Sequence, residues 1–359
     1  MDIYAKLGVR TFINARGPLT RMGGAIMPPE VIDAMVTASK SSVYLAELQD
    51  AIGARIAAMT GNEAAMVTNG AAAGIVLAIA ACMTGDDRKK MASLPDTNSC
   101  KNEVIVQHHM RFSEDCALRN TGARLVEIDG AGAHGIAALK AAIGPKTAAL
   151  FTTDWTGSRT ISIHDLVPIA REHNLPVVVD AAAGLPPAKN LWKFTREMGA
   201  DLAIFSGGKG LRGPQSSGLV VGTKQLIDAM KMQSVPHCYI GRPMKVGKEE
   251  MVGLYAALEC LLATPDEERN EQLEKLRRQI ESRLRHFAFL KFENDGDRLT
   301  IKWNESARAM TAEDVAARMR SGTPAIECSC TEGLHLHVSM LRDGEAEIVA
   351  ARLAKIFGD

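Results

Sequence analysis

A chain of 359 residues, 46% of them hydrophobic, is long enough for one large domain and a smaller companion. Its 42 lysines and arginines balance 42 aspartates and glutamates, which excludes the global basic field that draws nucleic acid. No apolar run reaches the roughly 18 residues of a membrane span, the first seven residues lack the apolar core of a signal peptide, and seven cysteines without metal-ligand pairing read as reduced thiols in a cytoplasmic protein.

Residues 1–44 read as an N-terminal segment rich in Gly and Pro. It holds one extended piece, 10–15, and a helix starting near Pro29 with Val31, Ile32, Met35 and Val36 at helical spacing. A large domain over 45–250 opens with an amphipathic helix, 45–61. Short apolar strands then alternate with helices: 64–67, 104–106, 124–128, 148–151, 176–179, 201–205 and 218–221. Such alternation predicts an α/β fold, with a mostly parallel sheet and helices on both faces. The stretch 86–101 is polar and reads as an irregular surface insertion. A long helix, 248–263, leaves this domain. Residues 251–359 alternate charged helices (266–286, 311–320) with short strands (299–302, 334–338), as in a smaller C-terminal α/β domain.

Three segments of the large domain carry chemistry. Thr68 to Gly74 follows a strand and opens a helix, and the small residues Gly70, Ala71 and Ala72 let backbone N–H groups approach an anion. Asp180 ends the apolar strand 176–179; taken alone it reads equally as a helix cap. The strand 201–205 delivers Lys209 into Ser206-Gly207-Gly208-Lys209-Gly210, which lacks the upstream Gly and the following Ser/Thr of a Walker loop. In this order, an anion-binding turn, a strand-end acid and a lysine in a glycine turn suit pyridoxal phosphate (PLP). The lysine links to the coenzyme aldehyde and the acid keeps the pyridine nitrogen protonated. His108 and His109 follow the strand 104–106. His108 is read as the ring-stacking imidazole and His109 as a substrate-facing alternative.

These segments resemble the fold-type I PLP enzymes, the aspartate aminotransferase-like fold, in the selenocysteine synthase-like branch related to D-glucosaminate-6-phosphate ammonia-lyase. The resemblance is carried by 13–20, 68–74, 179–187, the specific Ser-Gly-Gly-Lys-Gly-Leu-Arg-Gly-Pro-Gln stretch 206–215, and 241–248. It implies that Lys209 is the Schiff-base lysine, that Asp180 pairs with the pyridinium nitrogen, and that Gly70, Ala71, Ala72 and Ser206 hold the phosphate. It also implies a homodimer or higher homo-oligomer, with Arg242 and Lys245 in a segment that reaches cofactor phosphate or an anionic substrate group.

The departures from relatives narrow the reading. Ala183 stands where cysteine desulfurases have a glutamine for the ring hydroxyl, and no cysteine sits in a mobile loop. His337-Val338-Ser339 replaces an Arg-x-Ser carboxylate clamp, leaving Arg16, Arg21 or Arg342 as substitutes. The expected activity is a lyase converting an amino acid or amino-sugar acid to a 2-oxo acid and ammonia by α,β-elimination. The alternatives are a racemase, epimerase or aminotransferase on the same cofactor, or a PLP-binding protein without turnover. No metal, nucleic acid or membrane partner is expected.

Overall fold

The computed structural model describes residues 3–111, 115–155, 157 and 159–358. Its strands, in chain order, are β1 (Phe12–Asn14), β2 (Ala64–Thr68), β3 (Glu103–Gln107), β4 (Arg124–Ile128), β5 (Thr147–Thr153), β6 (Val177–Asp180), β7 (Leu202–Ser206), β8 (Gly218–Gly222), β9 (Lys291–Asp295), β10 (Arg298–Lys302), β11 (Ala325–Glu327) and β12 (Leu334–His337).

Two compact units result, Met27–Ala263 and Met1–Ile26 with Thr264–Asp359. The expected boundaries near 44 and 250 are corrected by pairing and packing. β1 runs parallel to β11, with Phe12 opposite Ala325 and Asn14 opposite Glu327, so the N-terminal strand belongs to the C-terminal unit. The helix Pro29–Ser39 instead packs along Lys248–Ala263 inside the large unit.

The large unit is built on a seven-stranded sheet ordered β2-β8-β7-β6-β5-β3-β4. β8 is antiparallel to both neighbours and every other pair is parallel. Parallel strands survive only where both faces are covered, and the sequence meets that demand residue by residue. In β7, Ala203 and Phe205 join one buried cluster while Leu202 and Ile204 join the other. In β8, Leu219 and Val221 face one side and Val220 the opposite side. The helix Gly70–Thr84 covers the second face and is buried over almost its whole length, which is why it is apolar all round rather than along one stripe. Helices Ile163–Glu172 and Lys248–Ala263 cover the first.

The polar stretch 86–101 contains more order than expected. Asp87 caps the helix Arg88–Ser93 by accepting from the N–H groups of Lys89 and Lys90, and Met91 is buried. The other unit is a three-stranded antiparallel sheet, β12-β10-β9, with helices Asp266–Leu284, Ala312–Ser321 and Glu345–Gly358. Its core includes Ile280, Leu284, Leu299, Ile301, Leu336 and Leu353. β9 is largely exposed and β11 is three residues long, so neither leaves an alternating apolar pattern.

Candidate active site

In an open α/β sheet, ligands gather beyond the C-terminal ends of the strands, near the point where strand order reverses. Here the chain steps outward from β3 to β4 and then returns to β5 on the other side of β3. The sequence-nominated groups lie along that rim.

β6 ends at half-buried Asp180. Its Oδ1 accepts from the Ala182 N–H at 2.9 Å, and its carbonyl accepts from the Asp154 N–H at 3.1 Å. The next helix, Asn190–Trp192, starts only after the intervening turn, so Asp180 is not a helix cap. β7 ends at Ser206, and the turn beyond it presents a half-buried Lys209. Three backbone bonds fix that turn: Gly207 N–H to the Ser217 carbonyl at 2.8 Å, Gly213 N–H to Gly207 at 2.7 Å and Arg212 N–H to Lys209 at 2.9 Å. A Cβ on Gly210 would fall 1.8 Å from the Leu185 carbonyl oxygen, so the lysine turn is pressed onto the turn that follows Asp180.

Gly218 of β8 pairs with Thr68 of β2 on one side and Ser206 of β7 on the other. That one row sets the helix N-terminus at Gly70 beside the Ser206 end of β7. A Cβ on Gly218 would sit 2.5 Å from the Gly70 carbonyl carbon, so only glycine lets the turn rest on the strand. Asn69 makes no side-chain cap, and the leading N–H groups of Gly70, Ala71 and Ala72 are those a helix end offers to an anion.

Sequence reasoning missed Asp154, the first residue after β5. Burial pushes its carboxyl up to about 6, and the neighbouring Asp180 carboxylate pushes the same way. Its own backbone N–H and the charges of Lys209 and Lys193 pull against that rise. The same strand-end logic that singled out Asp180 applies to Asp154, which directly follows the wholly buried β5.

The two histidines part company. The ring of His108 is 60% exposed and bonded to Glu127 of the edge strand β4. That hydrogen bond is the main reason the Glu127 carboxyl is held below the ordinary range. His109 is half-buried; its Nε2 is shut from solvent, has no hydrogen-bond partner among the described residues, and lies 3.9 Å from Asp129. The residue of this turn that lines a small cavity with Asp180, Thr153 and Phe151 is Met110. Gln107 fastens the β3 end, donating to Thr152 Oγ1 at 3.2 Å and accepting from the Ile161 N–H at 2.6 Å.

Arg242 and Lys245 are exposed, Arg242 opening a short turn, Arg242–Met244. Arg16 belongs to the other unit, beside β1, with its N–H bonded to Asn14 Oδ1 at 2.9 Å. In that unit His337 and Ser339 both engage Asp297. Burial raises the Asp297 carboxyl, but those two hydrogen bonds outweigh it and hold the group below its ordinary value.

The family model for L-seryl-tRNA selenium transferase matches residues 12–289. D-glucosaminate-6-phosphate ammonia lyase of Salmonella typhimurium is 33% identical, over 99% of this chain and 98% of the relative. A 5'-C-glycyluridine monooxygenase-decarboxylase of Streptomyces is also 33% identical, over 99% of this chain and 92% of its own length. The solved structure of D-glucosaminate-6-phosphate ammonia-lyase superposes with a TM-score of 0.86 at 32% identity, covering 100% of this chain and 98% of that one. Serine palmitoyltransferase with bound PLP and myriocin shares the fold at a TM-score of 0.63 and 12% identity, over 97% and 88% of the two chains. With its full-length match to these relatives, the chain has the fold-type I architecture of PLP-dependent enzymes and belongs to the L-seryl-tRNA selenium transferase family, whose members are enzymes.

Proposed function

We propose that the protein is a PLP-dependent lyase that eliminates water across Cα–Cβ of an amino acid or amino-sugar acid, the resulting enamine taking up water again to give a 2-oxo acid and ammonia. The observation that carries this reading is the ordered rim of Asp180, Lys209 and the uncapped helix end at Gly70, in a chain 33% identical over 99% of its length to an ammonia lyase.

The donor set fits the coenzyme. A phosphate needs N–H groups and a hydroxyl, offered at Gly70, Ala71, Ala72 and Ser206, with Arg242 as a further cation. A pyridine nitrogen needs an acid, offered by Asp180, and an aldehyde needs an amine, offered by Lys209. When bound, the coenzyme draws off the electrons left at Cα by proton loss. Asp180 keeps the ring nitrogen protonated from a position fixed by its bond to Ala182 N–H. The Lys209 Nζ would take the proton from Cα of the substrate. The departing β-hydroxyl receives a proton from His109 Nε2 or from Lys209. Arg16 and Lys245 are assigned to anionic groups of the substrate on sequence grounds. A reduced, cytoplasmic setting suits the seven free cysteines, and a homodimer or higher homo-oligomer is favoured by the exposed Ile32, Val36, Val43 and Tyr44 of the large unit.

The test is a panel of D- and L-β-hydroxy amino acids and amino-sugar acids, phosphorylated and not, given to protein reconstituted with PLP. Release of 2-oxo acid and ammonia in equal amounts is the expected result. The Streptomyces relative supplies a second outcome, carbon dioxide release under air. Carbon dioxide without ammonia, or α-proton exchange without ammonia, overturns the lyase reading. Protein that binds PLP and turns over nothing in the panel counts against it as well. Lys209→Ala is expected to lose at least about 10²-fold in rate.

A further inference from the structure

A second carboxyl opens on the small cavity that Asp180 lines. It belongs to Asp115, and the walls between the two are apolar: Ile75, Met110, Leu118 and Phe151. The cavity has room for about one water molecule. Asp115 therefore acts on whatever lies at Asp180 through its charge rather than as a direct ligand.

Asp115 is only 8% exposed and opens the helix Asp115–Arg119. A carboxylate so placed needs a cation or a set of donors. The Arg111 Nε supplies one, donating to Asp115 Oδ2. The same guanidinium donates through Nη1 to Glu127 Oε2, and the other Glu127 oxygen meets His108 Nδ1. Four side chains thus run from the Asp180 cavity to the exposed edge strand β4. Two carboxylates divide one guanidinium, and the one at the buried end is Asp115. Glu127 and His108 hold Arg111 in place from the solvent side.

We propose that Asp115 is a positioning residue for the coenzyme's proton: its negative charge, acting across the apolar cavity, keeps the proton of the pyridine nitrogen at Asp180. The inference rests on the PLP reading above. A unit charge several ångströms away across a poorly screened space shifts a proton equilibrium by on the order of one pH unit. A like charge beside Asp180 favours retention of the shared proton, and the protonated ring is the form that withdraws electrons from Cα. The other charges at this rim are Asp154 after β5, Lys209 after β7 and Lys193. All three stay constant in the experiment.

The experiment follows the nitrogen-15 resonance of ring-labelled PLP in reconstituted protein between about pH 6 and pH 9. Wild type is compared with Asp115→Asn, Asp115→Ser, Asp115→Glu and Arg111→Gln, each checked for wild-type circular dichroism. Wild type and Asp115→Glu, which keep the charge, are expected to hold the protonated resonance throughout. Asn and Ser leave Arg111 facing the cavity alone, and their resonance is expected to move to the unprotonated position at least about one pH unit earlier than wild type. Their kcat is expected to fall about tenfold with KM within about twofold. Arg111→Gln breaks the same ion pair but leaves the negative charge, so its resonance should stay protonated. Asn and Ser variants with the wild-type resonance overturn the assignment. So does an Arg111→Gln variant that loses the proton as they do, since a purely structural role moves both partners alike. Wild type that yields no borohydride-fixed adduct on Lys209 overturns the PLP reading as a whole; a normal adduct with a resonance indifferent to Asp115 overturns only the role of Asp115.

Discussion

At the scale of single residues, Asp154 and Asp180 illustrate how two identical side chains are driven apart. Both end buried parallel strands, but Asp180 has the Ala182 N–H as a partner, while Asp154 carries the burden of burial and of its neighbour's charge. The sign of the resulting pH dependence follows from which state holds the proton. An ordinary aspartyl carboxyl titrates near 3.8, and in the folded protein Asp154 does so at about 6. Well below 3.8 both states are protonated and folding loses nothing; the loss grows as pH rises from 3.8 and is complete above 6, where the folded protein carries a charge it accommodates poorly. Replacing Asp154 by Asn should thus stabilise the cofactor-free protein at pH 8 by about 1–3 kcal/mol and by no more than about 0.5 kcal/mol at pH 4. Urea titrations at the two pH values check this; equal gains at both would show that the substitution acts through packing. His108 makes the opposite case. Its bond to Glu127 is exposed to solvent, and removing it with His108→Ala should cost no more than about 1 kcal/mol and leave PLP affinity within about twofold, measured by fluorescence quenching.

At the scale of elements, the strand row through Gly218 sets the geometry of the anion-binding turn. Gly218→Ala drives a methyl into the Gly70–Ala71 backbone, which must retreat from Ser206. The expected result is at least a tenfold loss of PLP affinity, with about 1–3 kcal/mol of lost stability from overpacking. Isothermal titration with PLP decides the first and thermal melting the second. Elements were also where the sequence was most legible. The inner strands of the sheet announce themselves through apolar runs, since a strand covered on both faces has few polar positions to blur it, whereas the edge strand β4 carries exposed Arg124 and Glu127. Lys209 and Asp180 stand out for the same reason, each being the first charge at or after the end of such a run. Asp154 obeys the same rule but hides behind Thr152 and Thr153, which soften the end of β5. For His108, the strand end fixes where the side chain starts and not which neighbouring strand it turns toward. Glu127, across the β3–β4 pair, decides that direction, and no one-dimensional pattern reveals it.

At the scale of the molecule, each unit has its own apolar core, and the coenzyme site proposed here is assembled from the larger one. Tryptophans are distributed so that the two units can be watched separately. Trp155 and Trp192 belong to the large unit, while Trp303 belongs to the smaller one, where its Nε1 donates to the Met310 carbonyl at 2.8 Å. PLP at a hundredfold excess over its dissociation constant adds about 2.7 kcal/mol to whatever unfolds with its site. A variant keeping only Trp192 should show a larger rise in thermal midpoint with PLP than one keeping only Trp303; equal rises would mean that both cores melt as one. Unit boundaries were the least legible part of the sequence, because β1 finds its partner β11 at the opposite end of the chain.

The antiparallel strand β8 has a consequence for the newly made protein. Thr68 and Ser206 lie far apart along the polypeptide and become neighbours only through Gly218, which is synthesised after both. A ribosome-bound fragment that stops short of this strand has no closed cup for a phosphate, whatever its earlier strands have achieved. On the proposed reading, capture of the coenzyme follows the pairing of β8, and the first intact cup marks the moment at which the sheet has been sealed.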